Sequence, residues 1–160
     1  MTTAATTTDI AMRPFSASLP MALLRAREAA MRLFRPLLAE HDLTEQQWRV
    51  LRALAATGER MDVGALADRT FLLGPSLSRI LTNLEGRGLI DRTAAPDDQR
   101  RSLIALDPQG AALVSRIAPS SEATYNRIES QFGSARLSAL LGELHDLAAL
   151  DAAETLEEPA

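Results

Sequence analysis

The side chains that carry most covalent and metal chemistry are nearly missing from this chain. It has no cysteine, and His41 and His145 are its only imidazoles. That excludes disulfides, thiolate metal sites, cysteine nucleophiles and cysteine-based peroxide sensing. Two distant histidines also argue against a zinc centre, so neither a metal nor a cofactor is expected. No glycine-rich phosphate loop and no carboxylate pair in an evident pocket supports an enzyme. The abundant type is arginine: all 17 basic residues are Arg. A GC-rich genome would produce that bias too, yet Arg is the better fork for phosphate or guanine.

Two stretches arrange polar groups in a way that suits a polyanion. Over 75–87, steps of about 100° per residue collect Leu77, Ile80, Leu81 and Leu84 on one side of a helix. The opposite side carries Pro75, Arg79, Thr82 and Gly86, flanked by Ser78 and Asn83. It holds short hydrogen-bonding groups and one Arg, without an acid, where a face meant only for water would usually carry Glu. Such groups let a helix approach base edges, and Arg79 can fork onto guanine O6 and N7. In the loop 94–101, Arg100 and Arg101 suit the narrow, negative minor groove, and Asp98 stands close enough to brace one of them. Either group alone also reads as a solvated surface; their order along one module points to DNA. Net charge is −4, but residues 49–101 hold nine Arg against seven acids and residues 102–160 three against nine. An acidic C-terminal part masks a mildly basic middle.

The elements that must position these residues can be read from periodicity. The 160 residues, 46% hydrophobic and 24% charged, suit one domain with helical extensions. No apolar run approaches the ~18 residues of a membrane span. MTTAATTTDIAM lacks the basic-then-apolar order of a signal peptide, so a cytoplasmic location is expected. Residues 1–17 read as a flexible arm and 151–160 as an acidic tail. Ser18 and Pro20 open a helix whose stripe is Leu19, Leu23, Ala26, Ala30, Leu33 and Leu37, with a kink or early end at Pro36. Thr44 and Gln47 form a capping box ahead of a helix that buries Trp48, Leu51, Leu54 and Ala55, stopped by Gly58. Asp62 caps a third, short helix facing Val63, Leu66 and Ala67 inward, and Pro75 opens the fourth, which Gly88 stops. Strands over 89–93 and 102–106 make a hairpin around the charged loop. Asp107-Pro108 starts a helix through Leu113, Ile117, Tyr125, Ile128 and Phe132, kinked near Pro119 and ended at Gly133. The last helix carries Leu137, Leu140, Leu141, Leu144, Leu147 and Leu150 on one stripe.

Helix, break, helix and then a small hairpin is the order of a winged helix-turn-helix, in which the second helix enters the major groove and the hairpin reaches the adjoining minor groove. The expected fold class is therefore mainly α: a winged helix-turn-helix lobe over about 44–107, with further helices over about 18–40 and 108–150. A helical interaction module that does not bind DNA is the rival, and it leaves the charged hairpin tip without a purpose.

Residues 98–110, DQRRSLIALDPQG, resemble the wing signature of MarR-type regulators: Asp-x-Arg, a strand, a leucine, then a Thr-x-x-Gly helix start. Asp107 stands in place of the Thr and can still cap. Residues 43–52, LTEQQWRVLR, resemble that family's second helix. Leu24, Arg27-Glu28-Ala29-Ala30-Met31, Phe34-Arg35-Pro36 and Pro75-Ser76-Leu77 are similar to one branch, the regulators of homoprotocatechuate (3,4-dihydroxyphenylacetate) degradation operons. The resemblance runs from about residue 19 to 150. It implies a homodimer interlocked through the first and last two helices, in which case the leucine stripe is interface rather than intrachain core. It also implies a repressor that reads a pseudo-palindromic operator in double-stranded DNA, with Ser76 joining Ser78, Arg79, Thr82, Asn83, Arg100 and Arg101 as DNA contacts. A small aromatic acid would bind between the dimer helices and the DNA lobe. Arg27 is the candidate for its carboxylate, or else a surface or dimer salt-bridge residue; Trp48 is the candidate for its ring, or else core. A regulator of a different effector class, such as drug or stress response, is the alternative within the family.

Overall fold

The computed structural model describes residues 12–150. Its elements are α1 (Leu19–Ala39), α2 (Glu45–Thr57), β1 (Met61–Asp62), α3 (Val63–Thr70), α4 (Gly74–Gly86), β2 (Ile90–Ala94), β3 (Ser102–Leu106), α5 (Pro108–Phe132) and α6 (Ser134–Ala148). The acidic tail expected at 151–160 and most of the expected arm lie outside the described residues; the arm's last residues, Phe15–Ala17, form a 3-10 turn rather than loose chain. Pro36 does not stop α1, which continues to Ala39, and α5 runs unbroken through Pro119. A proline deletes one backbone bond, and helices of this length tolerate that loss when packing holds both sides.

Local chemistry sets the boundaries of the middle helices. The Thr44 hydroxyl accepts from the Gln47 N–H at 3.2 Å, and the Gln47 side chain accepts from the Thr44 N–H at 2.9 Å, a reciprocal box opening α2. Gly58, at φ 66, closes it in the left-handed conformation that glycine adopts without strain. The Asp62 carboxylate accepts from the Gly64 and Ala65 N–H groups and so caps α3. The hairpin begins one residue later than expected because the Leu89 N–H is spent on the Leu84 carbonyl, finishing the end of α4 around Gly88 at φ 67.

The strand order is β1-β3-β2, all antiparallel. β1 has no signature in the sequence: two residues give no period, and only the register Met61↔Ile104 and Asp62↔Leu103 reveals the strand. β3 thus ties the wing to the start of α3. The core gathers Val50, Leu51, Leu54, Leu66, Leu77, Leu81, Leu84, Ile104 and Ile117, all nearly inaccessible. Ala55, expected inside, is exposed, and Val50 holds the buried position. Gly110 marks a close approach: a Cβ there would stand 1.9 Å from the Leu89 carbonyl oxygen. The α1 and α6 stripes lie largely outside this core. Leu140 and Leu141 are 40% and 58% exposed, and no α6 residue is buried.

Candidate functional site

The first candidate site is the outer face of α4 with the hairpin. Burying Leu77, Ile80, Leu81 and Leu84 turns Ser78, Arg79, Thr82 and Asn83 outward, as the period requires; Ser76 is half-buried. Asn83 Oδ1 accepts from Gln47 Nε2 at 2.8 Å, so α2 holds this amide while its NH2 keeps both protons to donate. The Thr82 hydroxyl donates to the Ser78 carbonyl at 3.0 Å. Arg79 and Arg100 have no side-chain hydrogen bond or ion pair among the described residues and lie exposed.

The wing differs from expectation in which acid braces which arginine. Asp98 pairs with neither guanidinium; its Oδ1 accepts from the Arg100 backbone N–H at 3.0 Å and shapes the tip. The guanidinium that is braced is that of Arg101, whose Nε donates to Asp62 Oδ2 at 3.1 Å and whose Nη1 approaches Asp97 Oδ2 at 3.4 Å. Asp62 is 39 positions away, so no local spacing could reveal the pair. The Arg101 hydrogen bond, helped by the Gly64 and Ala65 N–H groups, holds the Asp62 carboxyl below the usual carboxylate range. One carboxylate therefore caps α3 and anchors the wing.

The second candidate site is a cavity of about 330 Å³. α1 provides Met31 and Phe34, α2 provides Glu45, Trp48, Arg49 and Arg52, α3 provides Arg69, and α5 provides Tyr125. Trp48 is both core and wall: it is 7% exposed, yet it lines the cavity. Tyr125 meets Phe34 with ring centroids 4.9 Å apart and interplanar angle 59°, and its hydroxyl accepts from Arg52 Nη1 at 3.0 Å. Arg49 Nη1 donates to the Thr70 carbonyl at 2.9 Å. Three guanidinium groups and three aromatic rings in one cleft match an aromatic carboxylate.

Arg27 is not among the lining residues. Its guanidinium bonds Glu28 and Glu45, and Arg35 bonds the same two carboxylates, so four charges bridge α1 to α2. Burial pushes the Glu45 carboxyl up, but the hydrogen bonds from Arg35 and Arg27 outweigh it and hold the group below the usual range. Sequence reasoning missed Arg49, Arg52, Arg69, Phe34 and Tyr125. Arg49 and Arg52 flank Trp48 on one helix and could have been found from that spacing; Arg69 and Tyr125 arrive from other elements.

A lobe of helices and hairpin with a cation-bearing helix outward, flanked by long helices, defines a winged helix-turn-helix protein. Residues 41–101 match the MarR family model. The chain is 45% identical over 133 residues to the homoprotocatechuate degradative operon repressor of Escherichia coli, covering 83% of this chain and 89% of that protein. This chain belongs to the MarR family. Among solved structures, NadR in complex with 4-hydroxyphenylacetate is 37% identical with a TM-score of 0.76, over 89% of this chain and all of that one. The transcriptional repressor CouR bound to a 23-mer DNA duplex is 30% identical with a TM-score of 0.76, over 88% of this chain and 99% of that one. No helix among the described residues is long and apolar enough to cross a membrane.

Proposed function

We propose that this protein is a homodimeric transcriptional repressor of an aromatic-acid catabolic operon, of the homoprotocatechuate or 4-hydroxyphenylacetate type, released from its operator by a phenolic acid. One observation carries the reading: the arginine- and aromatic-lined cavity has walls from α1 and α5 on one side and from α2 and α3 on the other. A ligand that fills it changes how the DNA lobe, about 44–107, sits on the helices over about 18–40 and 108–150 that join the two protomers. Because a ligand shifts an equilibrium only by its differential affinity, it must fit the lobe spacing that no longer matches successive major grooves. The relatives support the same assignment: one represses a homoprotocatechuate operon, one holds 4-hydroxyphenylacetate, and one holds a DNA duplex.

In this reading Ser76, Ser78, Arg79, Thr82 and Asn83 enter the major groove, Arg100 reaches the minor groove, and Arg101 aims the wing from its anchor on Asp62. Trp48 stacks on the effector ring, Arg49, Arg52 and Arg69 offer cations to the carboxylate, and Arg27 acts through Glu45. The protein works by binding rather than turnover, in the cytoplasm where the operator lies. Titrating 3,4-dihydroxyphenylacetate, 4-hydroxyphenylacetate and salicylate against a labelled operator complex tests the proposal. Release by the first two at concentrations where salicylate does little supports it; no release by any of the three, with operator binding intact, refutes the effector assignment. Linkage requires operator DNA to weaken effector binding by the same factor, typically about 5–150-fold.

A further inference from the structure

The turn between α3 and α4 departs twice from what the fold needs. Phe71 caps α3 in the left-handed conformation, φ 52 and ψ 41, a place where glycine is preferred and an aromatic residue is strained. Its ring contributes nothing to the core, for the residue is 91% exposed. Leu73 is the N-cap of α4, a position that favours Ser, Thr, Asp or Asn, and no side-chain hydrogen bond caps that helix. It is 78% exposed, while Leu72 between the two is buried and holds the turn in place. Two large apolar side chains thus replace the residues that local stability prefers, and both stand in water. Such coincident departures mark a functional surface rather than a folding requirement.

Their position says what surface that is. They directly precede Gly74 and Pro75, the first residues of α4, and in a helix-turn-helix that end of the second helix meets the base edges. We infer that Phe71 and Leu73 form an apolar knob that packs on thymine methyl groups in the operator, adding methyl readout to the hydrogen-bonding readout of Arg79. The inference rests on the DNA-binding reading above and specifies it: a thymine is required in each half-site beside the bases that α4 reads. Burying one methyl group corresponds to about a fourfold gain in affinity.

The test uses operator duplexes selected from random-sequence DNA by the full-length protein, then remade with deoxyuridine in place of each thymine in turn. This removes only the methyl. The parent protein should lose about fourfold at one or two thymines per half-site. Phe71→Gly should bind the thymine operator more weakly by a similar factor and show no further loss with uracil at the thymine that the ring covers. The same variant should melt at the parent's temperature or above, since glycine suits the left-handed cap, and Leu73→Ser should do likewise. The inference is overturned if no thymine is sensitive, or if uracil costs the parent and Phe71→Gly equally. A lowered melting temperature in Phe71→Gly would also overturn it by showing that the ring packs in the fold, and a changed oligomeric state would assign the knob to a protein contact. Failure of the parent to select any duplex would instead reject DNA binding itself.

Discussion

Gly110 offers a sharp check on how the DNA lobe joins the long helices. It lies in the first turn of α5, and replacing it with alanine would place Cβ 1.9 Å from the Leu89 carbonyl oxygen and 3.3 Å from a Leu106 methyl. Ordinary contact begins near 3.4 Å, so the start of β2 and the start of α5 would have to separate by about 1.5 Å. The same Leu89 carbonyl accepts the Asp107 N–H at 3.1 Å, and that bond spans the junction being forced apart. Overpacking of this kind costs about 1–3 kcal/mol, and loss of the bond adds about 1 kcal/mol. Alanine's better helix propensity returns about 1 kcal/mol. Gly110→Ala should therefore destabilise by about 1–3 kcal/mol, a fall of roughly 2–12 °C in melting temperature for a chain of this size. Gly86, in α4, has nothing within 4 Å of its notional Cβ and serves as the control. Gly86→Ala should melt unchanged or up to about 4 °C higher. Thermal unfolding followed by circular dichroism measures both; a Gly110→Ala protein as stable as the parent would refute the close-approach argument.

Arg79→Ala should relax base choice, costing about 1–3 kcal/mol on the preferred operator with little effect on unrelated DNA, as read by competition binding. Arg100→Ala should weaken operator binding and flatten the dependence of log K on log salt by about one unit if one phosphate contact is lost. Asp62→Asn should lower the melting temperature at neutral pH, because the cap on α3 and the Arg101 anchor both weaken. The Asp62 pKa is lowered in the folded protein, so its contribution is present above the usual carboxylate range and lost as pH falls through the lowered value; a melting series from pH 7 to 3 should show parent and variant converging. Leu144→Arg puts a charge in the α6 stripe and should lower dimerisation, with or without folding, in analytical ultracentrifugation; an unchanged dimer would remove α6 from the interface.

The helical order, the capping residues and the inward faces of α3 and α4 were legible because each depends on neighbours in the chain. Thr44 with Gln47, Asp62 with Gly64, and Leu77 with Ile80, Leu81 and Leu84 are all interactions within one or two turns. The outward set on α4, from Ser78 to Asn83, follows from the same period and needed no tertiary information. What required the fold was every pairing across distance. β1 exists only because Met61 and Asp62 meet Leu103 and Ile104. The brace on Arg101 falls to Asp62 rather than Asp98 because β3 carries the wing back to the start of α3. Arg69 and Tyr125 share a cavity with Trp48 because α3 and α5 converge on α2, and Arg27 is engaged by Glu45 because α1 crosses there. Local spacing decides which helix face a side chain occupies; which charged partner it meets is decided by packing, since ion pairs form between whatever groups the core brings within reach.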